Sequence, residues 1–229
     1  MIEVTNIYLI RHGFTPANNA KYNNQRDLWK IARDADMPLE MEYGEEQARE
    51  LGQFLDLIAG KTLILVSPYH RTRQTLEIAL REMTGDYEIR VCEDLHENHS
   101  GVHYAKTKDE VLEFYPEAKG FYQKIKDYPL ETRYLGGECE YDVRDRVKKV
   151  SERILRTSQA NCYDNIFIFG HGTVNRWIYY WINGEILPFH QKNCEVVLAN
   201  GENRGVPLFL PKAWVPLGYE VDIKKYLKK

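Results

Sequence analysis

Ile7-Tyr8-Leu9-Ile10-Arg11-His12-Gly13 decides how this chain is read. An apolar run of strand type ends abruptly in a guanidinium, an imidazole and a glycine. Open parallel sheets bind ligands at the carboxyl ends of their strands, so Arg11 and His12 stand where a site is built. Gly13 lets the backbone turn sharply and leaves room for a ligand beside the ring. Two later stretches repeat the pattern. Leu63-Ile64-Leu65-Val66 runs into Ser67-Pro68-Tyr69-His70-Arg71, and Ile166-Phe167-Ile168-Phe169 runs into Gly170-His171-Gly172. Three apolar runs, each ending in His or Arg, predict one basic pocket along one edge of one sheet.

Working outward, strands are expected at residues 4–10, 63–66, 87–91, 165–169 and 195–198. Helices are expected at 44–58, 71–83, 108–114, 118–126, 141–157 and 174–182. The clearest is 141–157, where Val143, Val147, Val150 and Ile154 form one apolar stripe at helical spacing. Trp177 and Trp181 read as core. Residues 14–42 read as a long polar connection beginning beside the pocket, a lid or substrate-selecting loop or else a solvated insertion. The tail from Gly205 reads as irregular. Strands alternating with helices imply a mostly parallel sheet covered on both faces. The expectation is one α/β domain over residues 1–229, with 95–160 as a mainly helical excursion near the pocket.

The totals narrow the function. Of 229 residues, 43% are hydrophobic and 28% charged, which suits a globular protein with a real core. The net charge of -3 argues against nucleic acid or a membrane surface as partner. No apolar run is long enough to span a bilayer, and the first residues do not read as a signal peptide. Cys92, Cys139, Cys162 and Cys194 lack paired spacing, which suits free thiols in a reducing cytoplasm. The sequence sets no oligomeric state, and a homo-oligomer stays open.

The polar groups gathered at the strand ends are Arg11, His12, Asn18, Arg71 and His171, with Glu97 on a nearby loop. Two guanidiniums and two helix N-termini suit a tetrahedral oxyanion, phosphate before sulfate or carboxylate. Neutral imidazole is a competent nucleophile towards phosphorus, and His12 is the candidate. Arg11, Arg71, Asn18 and His171 are candidates to stabilise the transferring group. Glu97 is the candidate acid and then base, its protonated form favoured beside an anion. The cations Lys21, Arg26, Lys30 and Arg33 suggest a second anionic group on the substrate. A zinc site from His96, His99 and His103 is the weaker rival, because the spacing is not that of His-Glu-x-x-His.

The ordered set Arg11-His12-Gly13-Phe14-Thr15-Pro16-Ala17-Asn18, Pro38-Leu39 through Gly44 and Gln47-Ala48, Ser67 to Thr75, Leu95-His96-Glu97, Gly136-Gly137-Glu138 leading to Asp142-Val143 and Arg146-Val147, Gly170-His171-Gly172 and Asn193 resembles the histidine phosphatase superfamily, the phosphoglycerate mutase-like enzymes. The resemblance implies a three-layer α/β/α sandwich and no metal or organic cofactor. It implies that His12 is the phosphorylated nucleophile and Glu97 the proton donor. Arg11, Arg71 and His171 would clamp the phosphoryl, and Asn18, Thr15, Gly172 and Thr173 would line the substrate. The substrate implied is a small phosphorylated metabolite. The stretch from Glu97 to His171 is shorter than in the family's mutases, which favours a phosphatase over a mutase. Phe14, Thr72, Cys139 and Thr173 depart from common family residues without removing a catalytic group, and Thr173 is expected to narrow the pocket or touch substrate. A non-catalytic phosphate-binding module remains the reading from another class.

Overall fold

The computed structural model describes residues 5–23, 33–104, 106–160, 162–215 and 219, and β1 spans Asn6–Arg11. The chain continues through α1 (Pro16–Asn23), α2 (Tyr43–Leu55), β2 (Thr62–Val66), α3 (His70–Leu80) and β3 (Tyr87–Val91). It then runs through α4 (Lys108–Phe114), α5 (Lys119–Lys124), α6 (Glu140–Gln159), β4 (Asn165–Gly170), α7 (Gly172–Asn183), β5 (Val196–Leu198) and β6 (Pro207–Phe209). The strands form one sheet in the order β3-β2-β4-β1-β5-β6. β1, β2, β3 and β4 are mutually parallel where they pair, while β5 and β6 extend the sheet antiparallel.

Alternation along the strands makes two cores. Ile7, Leu9, Leu63, Ile166 and Ile168 face α6 and α7, meeting Val143, Val147, Val150, Ile154 and Trp177. Tyr8, Ile10, Ile64, Val66, Phe167 and Phe169 face α2 and α3, meeting Ala48, Leu51, Leu55, Leu76 and Ala79. β4 is buried along its whole length because helices cover both of its faces. The result is the expected three-layer α/β/α sandwich. Trp177 is core, whereas Trp181 is partly buried and donates its indole N–H to the Arg144 carbonyl at 2.9 Å.

The expected polar connection over 14–42 is partly wrong, since it holds α1 and a single 3-10 turn at Asp34–Asp36. α1 is short and rich in Asn, so it has no apolar stripe to betray it, although Pro16 opens it as its first residue. Residues 24–32 lie outside the described residues, and with them the proposed lid tip and Arg26 and Lys30; the side chain of Lys21 does too. The tail is not wholly irregular. β6 pairs with β5 at the sheet edge, where Pro207 can begin a strand without costing a ladder bond. Three residues are too few for a period to show.

The connection returns to the sheet at a point where no side chain fits. A Cβ on Gly44 would lie 2.1 Å from the Phe14 carbonyl oxygen, and one on Gly13 would lie 2.8 Å from the Gly44 carbonyl oxygen. Gly13 is therefore needed for close backbone approach at the start of α2, and its φ is not in the left-handed region. That approach fixes the chain directly after His12.

Candidate active site

Register brings the two histidines together. Arg11 pairs with Gly170 across β1 and β4, so His12 and His171 leave neighbouring strand ends, with ring centroids 5.2 Å apart. Val66 pairs with Phe169 across β2 and β4, which sets Ser67 beside His171. The Ser67 hydroxyl and His171 Nε2 are 2.8 Å apart, and His171 Nδ1 is buried with no hydrogen bond to any described residue. The His12 Nδ1 lies 2.7 Å from the Gly13 carbonyl oxygen. A carbonyl can only accept, so Nδ1 carries the ring proton and Nε2 keeps its lone pair.

The cations surround this pair. Arg71, in the first turn of α3, is 5% exposed, and its guanidinium lies 4.9 Å from the centre of the Tyr69 ring. The Tyr69 ring in turn meets His171 edge-on at 5.4 Å and stacks on His96 at 5.9 Å. Arg11 donates from Nη1 to the Gln191 carbonyl at 2.5 Å, while Gln191 is itself held by Asn175, at 2.8 Å. Gly172 opens onto Arg11, since a Cβ there would lie 3.8 Å from Arg11 Nε. Asn18 Oδ1 accepts from the Thr15 N–H, the Thr15 hydroxyl and Asn193 Nδ2, each at 3.1 Å. The Asn18 amide nitrogen is thereby left as donor. Thr15 orients Asn18, its hydroxyl also accepting the Asn18 N–H at 3.3 Å. Thr173 is part-exposed at the start of α7, and its hydroxyl makes no hydrogen bond among the described residues.

Glu97 follows His96, whose ring stacks on Tyr69, on a loop of the helical excursion. Its carboxylate accepts the Asn98 N–H at 2.9 Å. The loop is pinned by Arg146 of α6, which donates to the Asp94 and His96 carbonyls at 2.6 and 3.0 Å and also bonds Glu138. Glu138 ties back to the backbone of His99 through its carboxylate and its N–H. Gly137 allows that crossing, because a Cβ there would lie 2.1 Å from the His99 carbonyl oxygen. Sequence reading gave Ser67, Glu138, Arg146 and Asn193 no role beyond membership of the motifs. Their signal was the spacing of those motifs alone.

Charge and burial set the protonation states. Burial, followed by the charges of Arg71 and Arg11, lowers the pKa of His12 well below its ordinary value. His171 is lowered well below by burial and then by Arg71 and His12. Glu97 is raised chiefly by burial, with Arg71 and Arg11 pulling it back and Asp34 adding a smaller upward push. The expectation credited a neighbouring anion for this shift; desolvation is the larger cause.

These shifts have a consequence for stability. The unfolded chain protonates its histidines near pH 6.5, while the folded one keeps His12 and His171 neutral to lower pH. Below that value the unfolded state binds more protons, so stability falls with pH by about 1.4 kcal/mol per pH unit for each histidine. Glu97 acts in the opposite direction, its contribution full below the ordinary carboxylate value and lost as pH rises above it. Urea unfolding at about pH 7 and about pH 5.5 should show this loss, and His171→Gln should reduce it by about 1 kcal/mol. An undiminished loss in His171→Gln would contradict a buried neutral imidazole there.

Two of the histidines of the zinc alternative have other neighbours. His96 Nδ1 lies 2.9 Å from the Glu97 carbonyl oxygen, and the His103 ring packs among Phe121, Tyr122 and Tyr134. Among the described residues no group of three His, Cys, Asp or Glu side chains is placed to hold a metal ion. No helix among them is long and apolar enough to cross a membrane. The four cysteines are free thiols.

Known proteins share this fold. No curated protein sequence matches the chain. Among solved structures, the α-ribazole phosphatase of Shigella flexneri superposes with a TM-score of 0.65 at 20% identity, covering 94% of this chain and 100% of that one. The protein TTHB049 of Thermus thermophilus superposes with a TM-score of 0.56 at 25% identity, over 90% and 100% of the two chains. A mycobacterial glucosyl-3-phosphoglycerate phosphatase gives 0.61 at 17% identity, over 85% and 89%. Residues 7–208, from the first strand to the last, match the histidine phosphatase superfamily (branch 1), and the chain belongs to that family.

Proposed function

We propose that this protein is a phosphatase that hydrolyses a small phosphomonoester through a phosphohistidine on His12. The observation that carries the reading is the Nδ1 contact of His12 with the Gly13 carbonyl, which leaves Nε2 as a neutral nucleophile among cations. Nε2 attacks phosphorus as the ester P–O bond breaks, and Glu97 gives its proton to the departing alkoxide. Arg11, Arg71, the Asn18 amide and His171 donate to the phosphoryl oxygens, whose charge spreads in the transition state. With Ser67 donating to Nε2, His171 holds its proton at Nδ1, the atom left unpartnered. Glu97, now ionised, takes a proton from water. That water attacks phosphorus, the P–N bond breaks, and phosphate leaves with His12 neutral again.

Supporting hydrolysis over a mutase reaction, two of the solved structures it resembles are of phosphatases. The one-domain reading is supported by a sheet whose two cores share every central strand. Free thiols support a reducing compartment such as the cytoplasm. The test is release of inorganic phosphate from an aryl phosphate and a panel of sugar and glycerate phosphates, with a chelator present. Release is the expected result. Isomerisation of a phosphoglycerate without release would move the chain to the mutase reaction, and loss of activity on chelation would favour metal chemistry.

A further inference from the structure

The Arg71 guanidinium, assigned above to the phosphoryl group, already holds a carboxylate. Its Nη1 donates to Asp34 Oδ1 at 2.8 Å and to the Asp34 carbonyl at 2.7 Å, and the Asp34 side chain is only 14% exposed. Asp34 comes from the 3-10 turn of the long connection and Arg71 from α3, so the pair places that connection against the candidate site. Asp34 Oδ2 accepts no hydrogen bond among the described residues. The Tyr104 hydroxyl is buried and makes no hydrogen bond to any described residue. Burial raises the Tyr104 phenol, and the Asp34 carboxylate is the next cause, with Arg71 and Tyr69 also felt. The Asp34 carboxylate thus stands on Arg71, and Tyr104, from another part of the chain, is near enough to feel both; one is an acceptor and the other a hydroxyl with no partner among the described residues.

We infer that Asp34 and Tyr104 read the alcohol portion of the substrate and select a neutral, hydroxyl-bearing phosphomonoester against one carrying a second anionic group. A hydroxyl on the substrate donates to the open oxygen of Asp34 and accepts from the buried Tyr104 hydroxyl, so both gain a partner. A second carboxylate or phosphate would face Asp34 at short range in a poorly screened site, and like charges there repel. This reverses the expectation of a second anion drawn from Lys21, Arg26, Lys30 and Arg33. Of these, Arg33 is exposed, and the side chains of the others lie outside the described residues.

This inference rests on the phosphoryl assignment of Arg71 but is tested by binding, apart from turnover. Titration calorimetry on His12→Ala, which cannot form the phosphohistidine, compares glycerol 3-phosphate with 3-phosphoglycerate. The first should bind at least tenfold more tightly. Asp34→Asn in the same background should bring the two within threefold of each other, mainly by improving the phosphoglycerate. Tyr104→Phe should weaken glycerol 3-phosphate and leave phosphoglycerate little changed. Equal or tighter binding of phosphoglycerate by the first variant, or a preference that survives Asp34→Asn, would overturn the inference whether or not the wild type releases phosphate. Thermal melts of each variant confirm that a folded protein was titrated.

Discussion

His12→Ala is expected to lower kcat for phosphate release at least about ten-thousand-fold, on the scale seen when a covalent nucleophile is deleted. No second side chain at the site can take over. His171 Nε2 is engaged by Ser67, and a guanidinium offers no lone pair to phosphorus. The loss should fall on kcat and kcat/KM together, because Nε2 bonds phosphorus only as the reaction proceeds. The fold should survive, since the side-chain hydrogen bond of His12 goes to the next residue and leaves the sheet ladder intact. A folded variant that kept one part in a hundred of the activity would assign the nucleophile elsewhere.

Glu97→Gln should cost about a hundred- to ten-thousand-fold in turnover of an alkyl phosphate, the usual range for a lost general acid. With 4-nitrophenyl phosphate the first step needs no proton on the leaving group, so it should be nearly untouched. The second step still needs a base for water. Rapid mixing should therefore show a burst of one nitrophenolate per active site, followed by slow turnover. An equal loss on both substrates with no burst would make Glu97 a positioning residue. The pH profile gives a second check: the raised carboxyl of Glu97 should extend wild-type activity above the ordinary carboxylate range, and Glu97→Gln should erase that limb.

How much of this was legible depends on the reach of each interaction. The strands ending in Arg11, Val66 and Gly170 could be read because they are buried on both faces and carry unbroken apolar runs. The α6 stripe was equally plain. Pairing Arg11 with Gly170 and Val66 with Phe169 is a matter of register, which no local pattern states, yet register is what puts Ser67 on His171. Arg146 and Glu138 stand far along the chain from the loop they pin. Asp34 sat in a stretch with no period, and nothing near it in sequence announced Arg71 as its partner. The cause of the Glu97 shift was misjudged because burial belongs to the assembled fold.

Rapid acid-free quenching of the wild type with 4-nitrophenyl phosphate, then peptide mapping by mass spectrometry, is the most direct test of a phosphohistidine on His12. The expected result is a phosphoryl group on His12, labile to acid, enriched in Glu97→Gln and absent in His12→Ala. Phosphate released with no phosphorylated residue in Glu97→Gln, or with the phosphoryl group on any other side chain, would contradict it.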